Sequence, residues 1–244
     1  MNSLALAYKT AGDLDKALPL YERTLQLKRQ VHGPDHDSTL TTLGNLAFAH
    51  HAAGDIDKAL LMFEQRYDLT RARLGPDHAD TRRAMSRWLR ACIEAERTED
   101  VIALIDRILV EVRRTLEPDS PDLADRLAHY ALQLLHAGAP ARAEALLREC
   151  LDIRNRTQPQ KWTTYHARAM LGRALLDQAR YAEAEPLLLS GYDEMKQREA
   201  SIPDAGRPRL TETVEALIAL YQAMERRDDA ARWRGIHARY VAAA

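Results

Sequence analysis

The sequence has few cysteines, almost no net charge and no long apolar run. Its two cysteines, Cys92 and Cys150, are too few for a disulfide framework. Lys and Arg number 35 and Asp and Glu 36, so the net charge is −1 and general nucleic-acid binding, which requires neutralised phosphates, is disfavoured. No apolar run approaches the roughly 18–20 residues that cross a bilayer, and residues 1–4 do not begin a secretory signal. These absences predict a soluble cytoplasmic protein that does not associate with membranes.

What is present is enough apolar material for a core. Of the 244 residues 46% are hydrophobic, which excludes global disorder and allows one or two domains. Alanine (40 residues) and arginine (29, against 6 lysines) are abundant, which indicates a GC-rich genome as much as any function.

An internal repeat with a period of 42 residues dominates the sequence. Residues 11–18 (AGDLDKAL) return as residues 53–60 (AGDIDKAL), and Gly-Pro-Asp-His at 33–36 returns at 75–78. Between residues 2–42 and 44–84, 18 of 41 positions are identical. Weaker copies follow in the same register, so we expect one repeat array. Its six units are residues 1–34, 35–76, 77–118, 119–160, 161–205 and 206–244.

Each unit has the pattern of two helices. Apolar residues recur at helical spacing, β-branched residues are sparse, and no alternation with a period of two is sustained. A single helical hairpin cannot bury both apolar faces, whereas stacked hairpins can. We therefore predict an all-α fold, an α-solenoid of about six helix-turn-helix hairpins that form a right-handed superhelix. The predicted helices span about 2–11, 14–32, 37–53, 56–74, 79–95, 99–116, 121–137, 140–157, 162–178, 181–200, 208–224 and 227–240.

The residues between the helices support this division. Gly12, Gly54 and Gly138 stand where a first helix ends and a left-handed residue is favourable. Asp15 and Asp57 are expected to cap the second helices. The small residues Ala17, Ala59, Ala143, Ala184 and Ala230 fall near the start of the second helices, where they would allow close helix packing.

No residue pattern nominates a catalytic, metal or cofactor site. His50 and His51 are adjacent, so on a helix they point about 100° apart and chelate poorly. His-Glu-x-x-His and Cys-x-x-Cys motifs are absent from the sequence, and both cysteines fall on apolar helical patterns that favour buried, inert thiols. We predict a non-enzymatic protein without cofactor or metal.

The repeat resembles the tetratricopeptide repeat in the long form found in kinesin light chains. The residues that resemble it in unit one are Leu4, Ala5, Tyr8, Gly12, Ala17 and Tyr21, and in unit two Leu46, Ala47, His50, Gly54, Ala59 and Phe63. A narrower similarity, at residues 182–200 and 208–234, is to bacterial arrays of the planctomycete type that lie C-terminal to serine/threonine kinases. Residue 1 falls within the first helix without a polar cap or a capping repeat, so the N-terminus looks truncated. We expect a longer array or a partner that covers this end.

The resemblance implies that ligands bind in a concave groove lined by the first helix of each hairpin. The expected groove residues include Asn2 and Lys9 in unit one, Asn45, Phe48 and His51 in unit two, Arg83, Ser86, Arg87 and Arg90 in unit three, His129, Leu132 and His136 in unit four, and His166, Ala169 and Arg173 in unit five.

The local charge favours an acidic ligand for this groove. Residues 66–90 hold seven arginines against three aspartates, and Arg83, Arg87 and Arg90 share one helix face. Such a face suits carboxylates of an acidic peptide or a C-terminus. The alternative is a solvated face with salt bridges to Asp80 or Glu94.

Three functions remain open from the sequence. The first is a scaffold that binds an extended peptide or a helix of another protein. The second is a detached regulatory or docking region of a bacterial serine/threonine kinase. The third, disfavoured by the net charge, is an RNA-binding helical repeat. The break in helical pattern at residues 198–208 leaves open whether this segment occludes the groove.

Overall fold

The computed structural model describes residues 1–242, which fold into α-helices and two short 3-10 turns, without a strand in that range. The all-α prediction is confirmed, and every helix begins within one residue of its predicted start. Helix α10 ends at Gln197 rather than near 200, where the chain turns into the 3-10 segments Glu199–Ser201 and Asp204–Gly206. The twelve α-helices in residues 1–242 are α1 (Asn2–Thr10), α2 (Leu14–His32), α3 (Asp37–Ala52), α4 (Ile56–Leu74), α5 (Ala79–Glu94), α6 (Thr98–Thr115), α7 (Pro121–His136), α8 (Pro140–Thr157), α9 (Trp162–Leu176), α10 (Tyr181–Gln197), α11 (Pro208–Ala223) and α12 (Arg227–Ala242).

The chain divides into two compact units. Unit 1 spans Met1–Arg97 and contains α1 to α5, and unit 2 spans Thr98–Ala244 and contains α6 to α12. Within each unit, helices that follow one another along the chain pack together, and first helices of successive hairpins are neighbours, as α1 is of α3 and α9 is of α11. The division falls between the two helices of the predicted third repeat.

The turn inside each hairpin has the same backbone conformation throughout. Gly12, Gly54 and Gly138 all have φ between +72° and +82°, as expected of glycines that end a first helix. The equivalent turns of the third, fifth and sixth hairpins use Glu96, Ala179 and Glu225 at φ of 55–58°. These six positions lie 42, 42, 42, 41 and 46 residues apart, so the period of the sequence is also a period of the backbone.

The helix caps differ from the sequence prediction. Asp13, not Asp15, caps α2 by accepting a hydrogen bond from the Lys16 backbone N–H at 3.4 Å. Asp57 likewise lies in the first turn of α4, one residue inside that helix. The caps of α3 and α5 are His36 and His78, whose Nδ1 atoms accept from backbone N–H groups at 3.2 and 3.1 Å. The recurring Gly-Pro-Asp-His segment therefore ends one helix and starts the next.

Small residues set the helix spacing in the core. The five alanines near the start of the second helices are all at most 1% exposed. In unit 2, α9 and α10 approach even more closely through glycines. A Cβ on Gly191 would lie 2.9 Å from Ala169 backbone N and 3.0 Å from the Tyr165 carbonyl oxygen, so the helices could not keep this distance with a larger residue.

Charged side chains link successive second helices in unit 2. Glu144 on α8 is 13% exposed and accepts hydrogen bonds from Arg148, Gln178 and Arg180, with Arg180 Nη1 at 2.7 Å. Burial alone would raise the pKa of Glu144, but these hydrogen bonds outweigh it and hold the pKa below its ordinary value. Glu144 therefore joins α8 to the start of α10 as a carboxylate.

Candidate functional site

Three residues predicted for the groove meet around one aromatic ring in unit 1. The ring belongs to Phe48 on α3, with Lys9 Nζ of α1 5.3 Å and Arg87 Cζ of α5 5.7 Å from its centroid. Phe63 of α4 packs edge-on against the same ring at 4.9 Å. Cations within about 6 Å of an aromatic ring are attracted by its quadrupole, which holds both side chains in place. First helices of three successive hairpins thus contribute to one surface.

A fourth cation comes from a second helix and was not among the predicted groove residues. Arg66 on α4 lies against α3 at Gly44, where a Cβ would lie 2.5 Å from Arg66 Nη1 and 3.1 Å from Cζ. The Nε atom of Arg66 is buried and has no hydrogen-bond partner. Burial, reinforced by the nearby charge of Arg87, lowers the pKa of Arg66 to about 10, so the group is still a cation at neutral pH.

The sequence did contain a signal for Arg66. In the 42-residue register, Arg66 replaces Thr24 and Gly44 replaces Asn2. The two replacements belong together, because the missing side chain at residue 44 provides the space for the guanidinium. A search of the repeat for paired departures, rather than of first helices alone, would have found it.

The four cations differ in how they are neutralised. Arg83 Nη1 donates to Asp80 at 3.0 Å, in an ion pair within α5. Lys9, Arg66 and Arg87 have no carboxylate partner among residues 1–242. Three positive charges therefore lie close together without a counter-charge. We call this group the basic surface, which consists of Lys9, Asn45, Phe48, Arg66, Arg83 and Arg87.

The remaining predicted residues of unit 1 divide between the basic surface and a separate acidic centre. The side chain of Asn45 is half-buried and makes no hydrogen bond to residues 1–242, so its amide is open to a ligand. Arg90 Nε and His51 Nε2 lie 3.4 and 3.7 Å from the carboxylate of Glu94. Ser86 donates its hydroxyl to the Arg82 carbonyl at 2.9 Å. The salt-bridge alternative thus describes Arg83 and Arg90, whereas Arg87 has turned to Phe48.

In unit 2, most of the predicted groove residues line one pocket of about 240 Å³. It lies between α7, α9 and α11 and has an apolar floor that includes Leu132, Ala169 and Met170. Arg173 is in its lining but pairs with Asp177 at 2.8 Å. His129 lies outside the lining, exposed and 5.3 Å from the ring of Tyr130. We call this the unit 2 pocket.

The polar groups of the unit 2 pocket are close to neutral as a set. Burial, reinforced by the charges of Arg209 and Arg154, lowers the pKa of His166 to about 3, so its imidazole is neutral. Glu215 on α11 lies 3.1 Å from His237 Nε2, and Glu212 pairs with Arg209 at 2.6 Å. The pocket therefore lacks the charge surplus of the basic surface.

Residues 198–207 pack against the start of α9. A Cβ on Gly206 would lie 2.8 Å from the Trp162 ring, and Ile202 is only 3% exposed. The Arg198 guanidinium lies 4.6 Å from the Tyr165 ring centroid and donates to Gln160 at 2.9 Å. The residues that line the unit 2 pocket come from α7, α9 and α11, so the segment lies beside this part of the predicted groove rather than in it.

Within residues 1–242, no cluster of three or more His, Cys, Asp or Glu side chains could hold a metal ion. In the same range, no helix is both long enough and apolar enough to cross a membrane. Burial raises the pKa of the Cys150 thiol to about 11, and its Sγ–H donates to the Ala124 carbonyl at 3.2 Å. Cys150 is therefore a poor nucleophile.

Residues 1–72 match the family model of the tetratricopeptide repeat. No curated protein sequence matches the chain. Among solved structures, a putative kinesin light chain with nearly identical TPR-like repeats from Podosopora anserina is 20% identical, with a TM-score of 0.55. The similarity covers 81% of this chain and 94% of that one.

BtubC, also called BKLC, from P. vanneervenii has a similar fold. Its TM-score is 0.57 at 16% identity, and the similarity covers 94% of this chain and 91% of that one. Identities this low show a shared fold. The resemblance to tetratricopeptide repeats of the kinesin light chain type is thereby confirmed, by the family match over residues 1–72 and by the fold over most of the chain.

Proposed function

We propose that this chain is a non-enzymatic scaffold for protein interactions and that its basic surface binds an acidic segment of a partner protein. The observation that supports this most directly is the convergence of Lys9 and Arg87 on Phe48, beside the unpaired Arg66. Helical-repeat folds present extended surfaces of this kind to partner chains.

The basic surface offers the three contacts that an acidic peptide requires. The guanidinium groups of Arg66 and Arg87 can each donate two parallel hydrogen bonds to a carboxylate. The open amide of Asn45 can donate to a peptide carbonyl and accept from a peptide N–H. The half-buried Phe48 gives an apolar patch between the cations. Charge attraction brings the segment to the surface, and the ring and the amide fix its position.

We place the principal contact in unit 1 rather than in unit 2. The ionic groups around the unit 2 pocket are paired with one another, as Arg173 is with Asp177. Binding an acidic group there would first require breaking these pairs, whereas Lys9, Arg66 and Arg87 have no pair to break.

The test is fluorescence anisotropy with a labelled peptide rich in Asp and Glu, with a Lys-rich peptide of equal length as control. Wild type should bind only the acidic peptide. Arg87→Glu and Phe48→Ala should each weaken binding at least about 10-fold, which corresponds to about 1.4 kcal/mol. Arg234→Glu makes the same charge change at an exposed position of α12 outside the basic surface, and its binding should equal that of wild type.

Equal weakening by Arg87→Glu and Arg234→Glu would contradict the proposal, because it would show only a response to net charge. Melting curves recorded by circular dichroism identify any variant that has lost its fold. Affinity capture from a lysate of the source cell, with wild type beside Arg87→Glu, would then recover the natural partner on the wild-type protein alone.

A further inference from the structure

We propose that the basic surface recognises a phosphate monoester on the partner segment, and that Arg66 distinguishes this dianion from a carboxylate. This inference rests on the proposed function and names the chemical group that the surface binds. The peptide class is therefore a segment with a phosphorylated side chain.

The first argument is the charge surplus. Lys9, Arg66 and Arg87 are three unpaired cations, and Arg83 nearby keeps its own partner, Asp80. A carboxylate supplies one negative charge, whereas a phosphate monoester supplies about 1.5 to 2 at pH 7 and three strong acceptor oxygens. Only the dianion matches both the number of cations and the number of their directions.

The second argument is the position of Arg66. Its guanidinium lies against the α3 backbone in the space left by Gly44, and its Nε is buried without a partner. A buried, unpartnered cation is unfavourable, and the repulsion from Arg87 and Arg83 adds to this. An anion gains more from such a partly desolvated, fixed guanidinium than from an exposed arginine, because the dielectric screening is weaker and less side-chain freedom is lost.

The third argument distinguishes a phosphorylated peptide from a nucleic acid. Proteins that bind single strands offer open aromatic faces for base stacking. Phe48 has Lys9 and Arg87 over its ring and Phe63 packed edge-on against it, so its faces are already in use. Beyond the basic surface, α5 continues into the pair of Arg90 with Glu94, which would repel a run of phosphates. The site therefore fits one phosphate on a peptide.

The test uses one acidic peptide in three forms, with serine, glutamate or phosphoserine at the central position. With wild type we expect the phosphoserine form to bind at least about 10-fold more tightly than the glutamate form. Arg66→Met removes the charge but keeps an unbranched apolar side chain, and should reduce this ratio to below about 3-fold. Arg90→Met, the matched control on the neighbouring acidic centre, should keep the wild-type ratio.

A second variant moves Arg66 instead of removing it. Gly44→Ala displaces the guanidinium without changing the charge, so it should also reduce the ratio even if Arg66→Met folds poorly. The phosphoserine form should bind more tightly as the pH rises from 5 to 7.5, since the second pKa of a phosphate monoester is near 6. The glutamate form is the control for any titration of the protein.

Each result has a distinct meaning. Equal affinities for glutamate and phosphoserine, or an unchanged ratio in both Arg66→Met and Gly44→Ala, overturn the phosphate inference and leave the scaffold proposal intact. Absence of binding by all three peptides refutes the scaffold proposal at this surface, and the inference with it. A single-stranded oligouridylate that competes with the phosphoserine form at equal concentration overturns it in favour of nucleic acid.

Discussion

The guanidinium of Arg66 occupies the space that any side chain at residue 44 would need, 2.5 Å from the position of its Cβ. Two features of the fold depend on this contact. It brings a cation from a second helix to a surface otherwise built from first helices, and it makes the smallest residue of α3 part of the candidate site. The contact also separates binding from folding, which allows a direct prediction.

Gly44→Ala should weaken acidic-peptide binding without lowering stability. The atom that the new methyl group meets is the end of a flexible side chain, which can move away. Alanine is also favoured over glycine inside a helix by about 1 kcal/mol. We expect an unchanged or higher melting temperature together with weaker binding. A melting temperature several degrees lower would show that Arg66 cannot leave this position.

Gly191→Ala should have the opposite effect on stability. Its Cβ would lie 2.9 Å from Ala169 backbone N and 3.0 Å from the Tyr165 carbonyl oxygen, neither of which can move alone. Overpacking of this kind costs about 1–3 kcal/mol, which exceeds the gain in helix propensity. Urea denaturation should show a lower midpoint than for Gly44→Ala. A midpoint equal to that of wild type would mean that α9 and α10 are further apart than described.

Glu96→Gly should stabilise the chain. Glu96 holds φ = +55°, in the left-handed region that costs a non-glycine residue about 1 kcal/mol or more. Glycine removes this strain, and its greater freedom in the unfolded state offsets part of the gain. We expect a net gain of about 0.5–1 kcal/mol in the free energy of unfolding, measured by chemical denaturation. Ala219→Gly, in the exposed part of α11, is the control and should lose about 1 kcal/mol.

Glu144→Gln should destabilise unit 2 at neutral pH, with a loss that disappears in acid. The folded-state pKa of Glu144 lies below its ordinary value because of hydrogen bonds from Gln178, Arg148 and Arg180, which oppose the effect of burial. A lowered folded pKa contributes stability above the unfolded value of about 4.3 and loses it as the pH falls through the folded pKa. We expect a difference of about 1–2 kcal/mol between wild type and variant at pH 7.

The pH series provides the control for that experiment. The difference between wild type and Glu144→Gln should be constant from about pH 6 to 8 and should shrink steadily below about pH 4.3. A difference that stays constant in acid would mean that the loss comes from packing and not from the charge.

The helices were predictable because their determinants are local and repeated. Eighteen identities between the first two periods fix the helix pattern, and the glycine at residues 12, 54 and 138 fixes the turns. Glu96 escaped prediction because its conformation is imposed by the helices on both sides and not by its own preference. The caps were assigned to Asp15 and Asp57 because aspartate is a common cap, whereas the start of α2 is set two residues earlier at Asp13.

The candidate site was predictable only in part. Phe48 and Arg87 were placed correctly near each other because the register of first helices is regular. Whether an arginine turns to a neighbouring acid or to a ring depends on side-chain geometry that the register does not contain. Arg83 and Arg90 have carboxylates three and four residues away on the same helix and pair with them, whereas Arg87 lies beside Phe48.

The repeated left-handed turn also makes the hairpin an exchangeable cassette. Gly12 and Gly54 are each followed by aspartate and lie 42 residues apart with nearly the same φ, +80° and +82°. Excision of residues 13–54 would therefore join Gly12 to Asp55 in a turn with the native residues and the native backbone. Unequal recombination between two such turns in a gene lengthens or shortens the array by one whole period without requiring a new loop.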